Sequence, residues 1–384
     1  MLVRSLFVAG SLFAFAASAA AQGSCTPRDT PDPAATQSLP VLFPHCLGED
    51  KCGAVDRTGT WRVPPTFIDV MVEDGFIVVP ENEDWTSFSF LDADGKRLGG
   101  GDYSIAVEDS LPVSEGLLAV TIGERTGFVD RTGTLVVPAE YGFAWGFQGG
   151  LSAVEKDGRS FYIDKTGQAV IALPEGFDDL AGFIGDVAVV GKEGKYGLID
   201  KTGKLLIEPR FPSLYVDNGV LIAMQDDRIG IVDRDGGWIA EPEFDYIGSF
   251  SQGLAPAQKG EKWGFIDTCG AWKIEPKYDY AVGFEGGPAR VRVGEKWGMI
   301  DKSGAEIYAP QASYIGEEYW TDDLIPFSPD GTKYGLLDTA GKVAVEPKFD
   351  SITVLGDGVL LAYEGEEEKL LKPDGSEIPI APAP

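Results

Sequence analysis

Apolar and polar positions follow a short pattern that recurs about every 35 residues along most of the chain. The clearest copy runs over residues 263–270 (WGFIDTCG) and is followed by Pro276 and Tyr278. Each copy is anchored on an Asp-x-x-Gly step, and a tenth, degraded copy has Lys372 at the anchor. The nine anchors are Asp56, Asp92, Asp130, Asp164, Asp200, Asp233, Asp267, Asp301 and Asp338. This regular period predicts a stack of similar β units.

Each part of the repeat has a physical interpretation. The two residues before every anchor are apolar, as in Phe265 and Ile266, which indicates a strand buried on both faces. The Asp-x-x-Gly step then predicts a tight turn, closed by a glycine with positive φ. A second strand is expected to end at a proline such as Pro276, and a third follows. Each unit is therefore predicted to be a small three-stranded antiparallel sheet in an all-β protein.

The arrangement of the units has two possible forms. Closed propellers typically have about 4–8 blades of four strands, and nine or ten three-stranded units exceed that number. We therefore expect an open or superhelical β-solenoid, with a closed propeller-like ring as the alternative. The two forms differ in whether the first and last repeats touch.

An aromatic-Gly pair opens the buried strand of several units. Trp263-Gly264 and Trp297-Gly298 carry the full pair, and Tyr196-Gly197 and Tyr334-Gly335 have Tyr for Trp. With these pairs the chain resembles the bacterial WG-repeat family. The resemblance implies a β-rich repeat fold used for binding, and it brings no shared catalytic residues. The structural repeat positions are these four pairs together with Asp130, Asp200, Asp267, Asp301 and Asp338.

A glycine inside a strand marks a bulge or a close approach of another group. We interpret the Trp-Gly pair as structural, with an aromatic ring of the neighbouring unit lying over the glycine. The functional alternative is that the tryptophans line a ligand groove.

The two ends of the chain differ from the repeats. Residues 1–21 have a basic start, an apolar run and small residues, which predicts a signal peptide cleaved before Gln22. We expect a flexible leader at 22–38, repeats over 39–375 and a Pro/Ala-rich tail at 376–384. The predicted location is the periplasm or the outside of a bacterial cell, without membrane insertion.

The net charge limits the possible partners, and the cysteines limit the possible disulfides. The formal net charge of −29 argues against nucleic acid and anionic membrane surfaces. Cys46 and Cys52 would face each other across a hairpin, so we predict a disulfide between them. Cys269 is expected in an exposed turn far along the chain, and we do not expect it to pair with Cys25.

The sequence offers little catalytic chemistry. The only histidine, His45, has no nucleophile motif nearby. Paired acids at Asp92 and Asp94, and at Asp233 and Asp235, suggest calcium, but a calcium loop needs six or more oxygen ligands, and turn formation explains these residues. No carboxylate pair is singled out for glycoside chemistry. We therefore predict no catalytic residues, no metal site and no cofactor.

These observations favour a non-catalytic secreted repeat protein that binds a protein, a peptide or an envelope polymer. The alternative is a glycan-binding or glycan-active module of the cell envelope, for which the out-of-register residues Trp85, Trp145 and Trp320 are the candidate aromatics. A structural spacer in the envelope is a third possibility, and it predicts no discrete partner.

Overall fold

The computed structural model describes residues 25–28, 42–47, 51–105, 111–316, 324–356, 359–365 and 367–382. Over these residues the chain forms 38 strands in ten antiparallel sheets and no helix. We number the sheets 1 to 10 in chain order. The predicted signal peptide lies outside the described residues.

The first five sheets contain nineteen strands. Sheet 1 has β1 (Phe43–Cys46), β2 (Cys52–Val55) and β3 (Trp61–Phe67). Sheet 2 has β4 (Met71–Glu73), β5 (Phe76–Pro80), β6 (Phe88–Leu91) and β7 (Arg97–Gly101), and sheet 3 has β8 (Val113–Ser114), β9 (Leu117–Ile122), β10 (Arg125–Val129) and β11 (Leu135–Tyr141). Sheet 4 has β12 (Phe143–Ala144), β13 (Leu151–Lys156), β14 (Arg159–Asp164) and β15 (Ala169–Ala172), and sheet 5 has β16 (Asp179–Leu180), β17 (Val187–Lys192), β18 (Lys195–Asp200) and β19 (Leu205–Phe211).

The other five sheets follow the same plan. Sheet 6 has β20 (Ser213–Asp217), β21 (Val220–Gln225), β22 (Arg228–Val232) and β23 (Trp238–Phe244), and sheet 7 has β24 (Tyr246–Ile247), β25 (Leu254–Lys259), β26 (Lys262–Asp267) and β27 (Trp272–Tyr278). Sheet 8 has β28 (Tyr280–Val282), β29 (Ala289–Val293), β30 (Lys296–Ile300) and β31 (Glu306–Ala312). Sheet 9 has β32 (Tyr314–Ile315), β33 (Leu324–Ser328), β34 (Tyr334–Asp338) and β35 (Val343–Phe349), and sheet 10 has β36 (Ser351–Gly356), β37 (Val359–Glu364) and β38 (Glu367–Leu371).

The expected three-stranded unit is correct only for sheets 1 and 10. Sheets 2 to 9 each have four strands, and their strands pair in chain order. The strand that the sequence pattern misses is the first of each sheet, such as β24 with two residues, Tyr246 and Ile247. Two residues are too few to display an alternation of apolar and polar positions, so this strand gives no signal of its own.

The Asp-x-x-Gly turn has the predicted geometry. At Asp200 the carboxylate Oδ1 accepts hydrogen bonds from the backbone amides of Thr202 and Lys204, at 2.8 and 3.1 Å, and from the Thr202 hydroxyl. Gly203 has φ of 81° and donates its amide to the Asp200 carbonyl. At the degraded tenth copy, Lys372 replaces the aspartate, and the backbone turn still forms.

The glycine of the aromatic-Gly pair lies under a bulge of the adjacent strand. Across β26 and β27, Trp263 pairs with Tyr278 and Phe265 pairs with Ile274, so β27 has two extra residues between these pairs. A Cβ at Gly264 would lie 2.3 Å from the Ile274 carbonyl oxygen. The approaching group is therefore strand backbone, and the expectation of an aromatic ring over the glycine is wrong. The prolines of the repeat lie inside this bulge and not at the strand end.

The core consists of ten apolar clusters, each joining one sheet to the next. In sheet 7, Phe265 belongs to the cluster shared with sheet 8, whereas Ile266 belongs to the cluster shared with sheet 6. The apolar pair before each anchor thus buries both faces of its strand, because each sheet is packed between two neighbours.

Polar contacts also connect consecutive sheets. Asp279 lies between sheets 7 and 8, where one carboxylate oxygen is 2.5 Å from Lys262 Nζ and the other accepts the Gly294 amide at 2.7 Å. The same arrangement recurs at Asp245 and Asp350. These aspartates hold the hairpin loop of one sheet to the preceding sheet.

The first and last sheets touch, so the ten sheets form a closed ring. Phe43 and Val55 of sheet 1 pack with Val359 and Leu370 of sheet 10 and with Ile378. The structure therefore has the alternative architecture, a propeller-like ring of ten sheets, and not the open solenoid.

Hydrogen bonds from the chain's C-terminal segment reinforce this seam. Trp61 Nε1 donates to the Ala381 carbonyl at 2.9 Å, and the Ala381 amide donates to the Gly59 carbonyl at 3.0 Å. His45 Nδ1 lies 2.8 Å from Glu368 Oε1. Residues 376–382, which the composition suggested as a tail, therefore help to close the ring.

All four cysteines form disulfides. Cys46 pairs with Cys52, which lies directly opposite it across the hairpin of β1 and β2, as predicted. Cys25 pairs with Cys269, which the sequence analysis did not expect. A sequence separation of 244 residues gives no local signal, and only the closed stack of sheets brings the leader beside the turn of sheet 7.

Candidate functional site

A groove between sheets 7 and 8 has a wall of aromatic side chains. We call it groove 7–8. It has a volume of about 440 Å³, and Tyr246, Trp263 and Tyr280 provide its aromatic wall. Its remaining lining residues are Gly248, Ser249, Pro256, Gln258, Ala281, Val282, Gly283 and Glu285.

The rings of groove 7–8 form a continuous row. Trp263 lies between Tyr246, with ring centroids 5.4 Å apart, and Tyr280, at 5.1 Å. Tyr280 then contacts Trp297 at 5.8 Å, and the Arg292 guanidinium lies over both of these rings. Trp263 is 9% exposed, whereas Tyr246 is 50% exposed. The tryptophan is therefore largely a packing residue, and the tyrosine offers an accessible ring beside it.

A second groove, groove 5–6, lies between sheets 5 and 6 and has a volume of about 210 Å³. Its lining residues are Asp179, Ala181, Gly182, Ile184, Val189, Tyr196, Leu214, Tyr215 and Val216. The pKa of the Tyr196 hydroxyl is raised, mainly because it donates a hydrogen bond to the Asp179 carboxylate. The negative charge of this carboxylate is the second cause.

The two grooves occupy the same position in the repeat. In sheet 5, Tyr196 lies opposite Gly191, and Gly191 lies opposite Asp179 on the next strand. In sheet 7, Trp263 lies opposite Gln258, and Gln258 lies opposite Tyr246 in the same way. Counting from these pairs, Ala181 corresponds to Gly248, Val189 to Pro256 and Leu214 to Ala281. Grooves 5–6 and 7–8 therefore lie at the same position of the repeat, but their side chains differ. Asp179 stands where groove 7–8 has Tyr246, and Ser213 stands where it has Tyr280.

The intervening junction, between sheets 6 and 7, is occupied. The residue of sheet 6 that corresponds to Gly248 is Tyr215, whose hydroxyl donates to the Ile247 carbonyl across the junction at 3.4 Å. Burial raises the pKa of Tyr215 to about 12, so the hydroxyl keeps its proton at neutral pH. A small residue at this position leaves an open groove, and a large one fills it.

A further cavity, of about 560 Å³, lies beside the leader. Cys25, Thr26 and Arg28 form one wall, and residues of sheets 5 to 7 form the rest. The Arg28 amide donates to Thr268 Oγ1 at 3.0 Å, and its guanidinium donates to the Gly219 carbonyl. The described part of the expected flexible leader is therefore fixed by a disulfide and two hydrogen bonds.

The aromatics proposed from sequence for a glycan site are not brought together. Trp85 is half-buried and packs edge-on against Phe88. Trp145 is 51% exposed and contacts the exposed ring of Phe143 at 5.1 Å. Trp320 lies outside the described residues.

The repeat positions have structural environments. Trp263, Trp297, Tyr196 and Tyr334 stand at the start of the third strand of their sheets, with each following glycine beneath a bulge. Asp130, Asp200, Asp267, Asp301 and Asp338 each accept backbone amides of their turns. His45 belongs to the seam of the ring.

Sequence reasoning missed the two tyrosines of groove 7–8, exposed Tyr246 and half-buried Tyr280. Tyr246 and Tyr280 each follow the aromatic of the repeat, Phe244 or Tyr278, by two residues, and Phe143 follows Tyr141 in the same way. This recurrence was the available signal. It was not used because the short first strand of each sheet was not recognised.

The described part of the chain has no metal-binding cluster and no membrane-spanning helix. No group of three or more His, Cys, Asp or Glu side chains there is arranged to hold a metal ion. None of the described residues belongs to a helix that is long and apolar enough to cross a membrane.

The fold and the repeated groove define a propeller-like ring built from one repeated unit. Six segments match the WG containing repeat model, and together they cover more than half of the chain: residues 127–159, 161–196, 196–228, 229–263, 263–297 and 334–365. The chain therefore belongs to the WG-repeat family.

Solved structures resemble the chain only loosely. A eukaryotic initiation factor matches 76% of this chain and 92% of its own, with 10% identity and a TM-score of 0.47. The computationally designed Ika8 protein matches 70% and 93%, with 14% identity and a TM-score of 0.38. BamB from Moraxella catarrhalis matches 80% and 93%, with 12% identity and a TM-score of 0.34. No curated protein matches the sequence. No functional statement follows from these likenesses.

Proposed function

We propose that this protein is a non-catalytic binding protein that holds an extended partner, a protein, a peptide or an envelope polymer, on the grooved surface of its ring. The observation that supports the proposal is the repeated groove. Pockets of 300–1,000 Å³ with aromatic walls and a few polar groups are the usual form of ligand sites, and groove 7–8 falls in this range.

Two grooves at the same position of the repeat favour an extended partner. A chain that contacts both grooves gains from the second contact without the entropic cost of a second independent association. Each groove then needs only modest affinity. A small, single-site ligand would gain nothing from this repetition.

A secreted location is part of the proposal. Two disulfides are typical of proteins from oxidising compartments, such as the periplasm and the extracellular space. The apolar run near the N-terminus fits a signal peptide.

Affinity capture tests this function. The mature protein would serve as bait for an envelope extract of the source organism, beside the variant Tyr246→Ala and the control Tyr363→Ala. Tyr363 is an exposed tyrosine of sheet 10, away from both grooves. We expect one saturable partner, captured by the wild type and the control and lost or strongly reduced with Tyr246→Ala.

Three results would contradict the proposal. No saturable partner would favour a structural spacer. Equal capture by the wild type and Tyr246→Ala would move the binding surface away from groove 7–8. A turnover that disappears on substitution of one acidic pair would show an enzyme.

A further inference from the structure

We propose that grooves 5–6 and 7–8 are carbohydrate subsites for a glycan chain that carries no anionic groups. This inference rests on the proposed binding function and names the class of its partner. It concerns a different set of residues from Trp85, Trp145 and Trp320.

The aromatic wall supplies the first argument. The face of an aromatic ring is negatively polarised, and the axial C–H groups of a pyranose ring are weakly positive, so a sugar ring stacks on such a face. In groove 7–8 the half-exposed ring of Tyr246 stands beside Trp263 and Tyr280. The packing on Trp263 fixes the orientation of both tyrosines before any ligand arrives, which lowers the entropic cost of binding.

The polar groups supply the second argument. Ser249, Gln258 and Glu285 line groove 7–8 with hydroxyl, amide and carboxylate groups of the kind that bind sugar hydroxyls. The Ser249 hydroxyl bonds to the Asp217 carboxylate, and the Gln258 amide nitrogen donates to the Gly260 carbonyl at 3.0 Å, so both side chains are held in place. Gly248 and Gly283 pack against the Pro256 ring and the Glu285 carboxylate, where a Cβ would collide. A flat ring carrying several hydroxyl groups fits a wall of aromatic rings next to such neutral and acidic groups.

Charge disfavours the anionic glycans. No lysine or arginine lines either groove, although the Arg292 guanidinium lies over the Tyr280 ring beside groove 7–8. The carboxylates Glu285 and Asp179 line the grooves themselves. The whole chain carries a formal charge of −29. A polymer with carboxylates, sulfates or phosphates would be repelled, and a neutral or amino-substituted glycan would not.

The repetition supplies the last argument. The two grooves share one register in the repeat, and each combines tyrosine rings with an acid, although at different positions. Groove 5–6 has Tyr196 and Tyr215 with Asp179, and groove 7–8 has Tyr246 and Tyr280 with Glu285. A partner that bridges them must present similar groups at intervals. Polysaccharides have this property because their chemical unit repeats. A proline-rich peptide could also stack on tyrosines, and it is the competing outcome of the test.

The test is isothermal titration of the full mature protein with a fixed set of probes. These are β-1,4-linked hexamers of N-acetylglucosamine, glucosamine and glucose, an oligogalacturonate as the anionic probe, and a proline-rich decapeptide. We expect at least one neutral or amino hexamer to bind and the anionic probe to fail. The variant Tyr246→Ala should weaken binding about tenfold, the loss expected for one aromatic stacking contact.

Two variants control for folding and for ring chemistry. Tyr246→Trp keeps an aromatic face and should restore most of the affinity. Tyr363→Ala removes an exposed tyrosine outside the grooves and should leave it unchanged. Because Tyr246 is half-exposed, its truncation should leave the unfolding temperature close to that of the wild type.

The outcomes separate this inference from the proposed function. Failure of all three uncharged or amino hexamers at millimolar concentration overturns the glycan assignment, as does hexamer binding that is unchanged in Tyr246→Ala. If the decapeptide binds and is lost in Tyr246→Ala, the glycan inference fails and the proposed binding function stands. If the extract also yields no partner, both fail.

Discussion

Gly264 has to be a glycine, because backbone atoms of the adjacent strand leave no space for a Cβ. Its backbone has an ordinary conformation, but a Cβ would collide with the Ile274 carbonyl and with the Pro276 nitrogen. Gly260, four residues earlier, has φ of 66° and open space around its Cβ position. The two glycines therefore serve different physical purposes within one hairpin.

Alanine substitutions separate these two purposes. Gly264→Ala should lower the free energy of unfolding by about 3 kcal/mol, because the bulged strand must move. Gly260→Ala should cost only about 1 kcal/mol, the penalty of a left-handed backbone conformation. Chemical denaturation of both variants measures the difference. Equal losses would show that the bulge does not press on Gly264.

The turn aspartates make stability depend on acid pH. Hydrogen bonds from Thr166 and Thr202 lower the pKa of Asp164 and Asp200 below the ordinary value of 3.8. A lowered pKa means that the folded protein prefers the charged carboxylate. This contribution is fully present above pH 3.8 and is lost as the pH falls through the lower, folded pKa.

Thermal unfolding between pH 7 and pH 2 tests this dependence. The unfolding temperature should fall steeply only below about pH 4. Asp200→Asn should unfold at a lower temperature at pH 7 and should lose less on acidification than the wild type does. An identical acid dependence in the two proteins would show that Asp200 does not contribute.

At the scale of the element, aspartates at the sheet junctions connect each sheet to the next. Asp279 connects the Lys262 ammonium of sheet 7 to the Gly294 amide of sheet 8. The hydrogen bond from Lys262 is the main reason that the pKa of Asp279 is lowered. Asp245 holds the Gly260 amide in the same way one junction earlier.

Amide hydrogen exchange can measure this connection. Asp279→Ala should speed exchange of the Gly294 amide, because its acceptor is removed. The Gly260 amide should exchange as in the wild type, and it serves as a control within the same molecule. Faster exchange at both amides would indicate a general loss of stability instead of a local release.

The sequence predicted the elements with internal periodicity and missed the ones without it. Phe265 and Ile266 predict a strand buried on both faces, and Asp267 with Gly270 predicts a turn. Both predictions are possible because each pattern lies within a few consecutive residues. The two-residue strand at Tyr246 has no pattern, so the first strand of each sheet and the grooves beside it were missed. The Trp263 ring is largely buried, as the packing interpretation predicts, and it also lines groove 7–8, as the alternative predicts. Its place between two tyrosines depends on the adjacent sheet.

At the scale of the molecule, closure depends on contacts between the two ends of the chain. No periodicity within a repeat specifies whether ten sheets close, since every junction looks alike locally. Closure of the ring depends on contacts of Phe43 and Trp61 with the segment 376–382, and these residues meet only in the folded ring.

Removal of residues 376–384 should therefore destabilise the seam selectively. Amide exchange should increase in sheets 1 and 10, which lose the packing of Ile378 and the hydrogen bond from Trp61 to Ala381. Sheets 5 to 7 should stay protected. The milder variant Trp61→Phe loses the hydrogen bond and part of the ring packing at the seam, and it should cost about 2 kcal/mol. A uniform increase of exchange in all sheets would contradict a local role.

The cysteine pairing has a consequence for how the chain is made. Synthesis proceeds from the N-terminus, so Cys25 emerges first, and Cys46 and Cys52 follow long before Cys269 exists. During that interval the nearest partners for Cys25 are the wrong ones. If Cys46 oxidises with Cys52 first, these partners are removed, because a closed disulfide offers no free thiol. In that order of oxidation, the hairpin disulfide would keep Cys25 as a thiol until sheet 7 is complete.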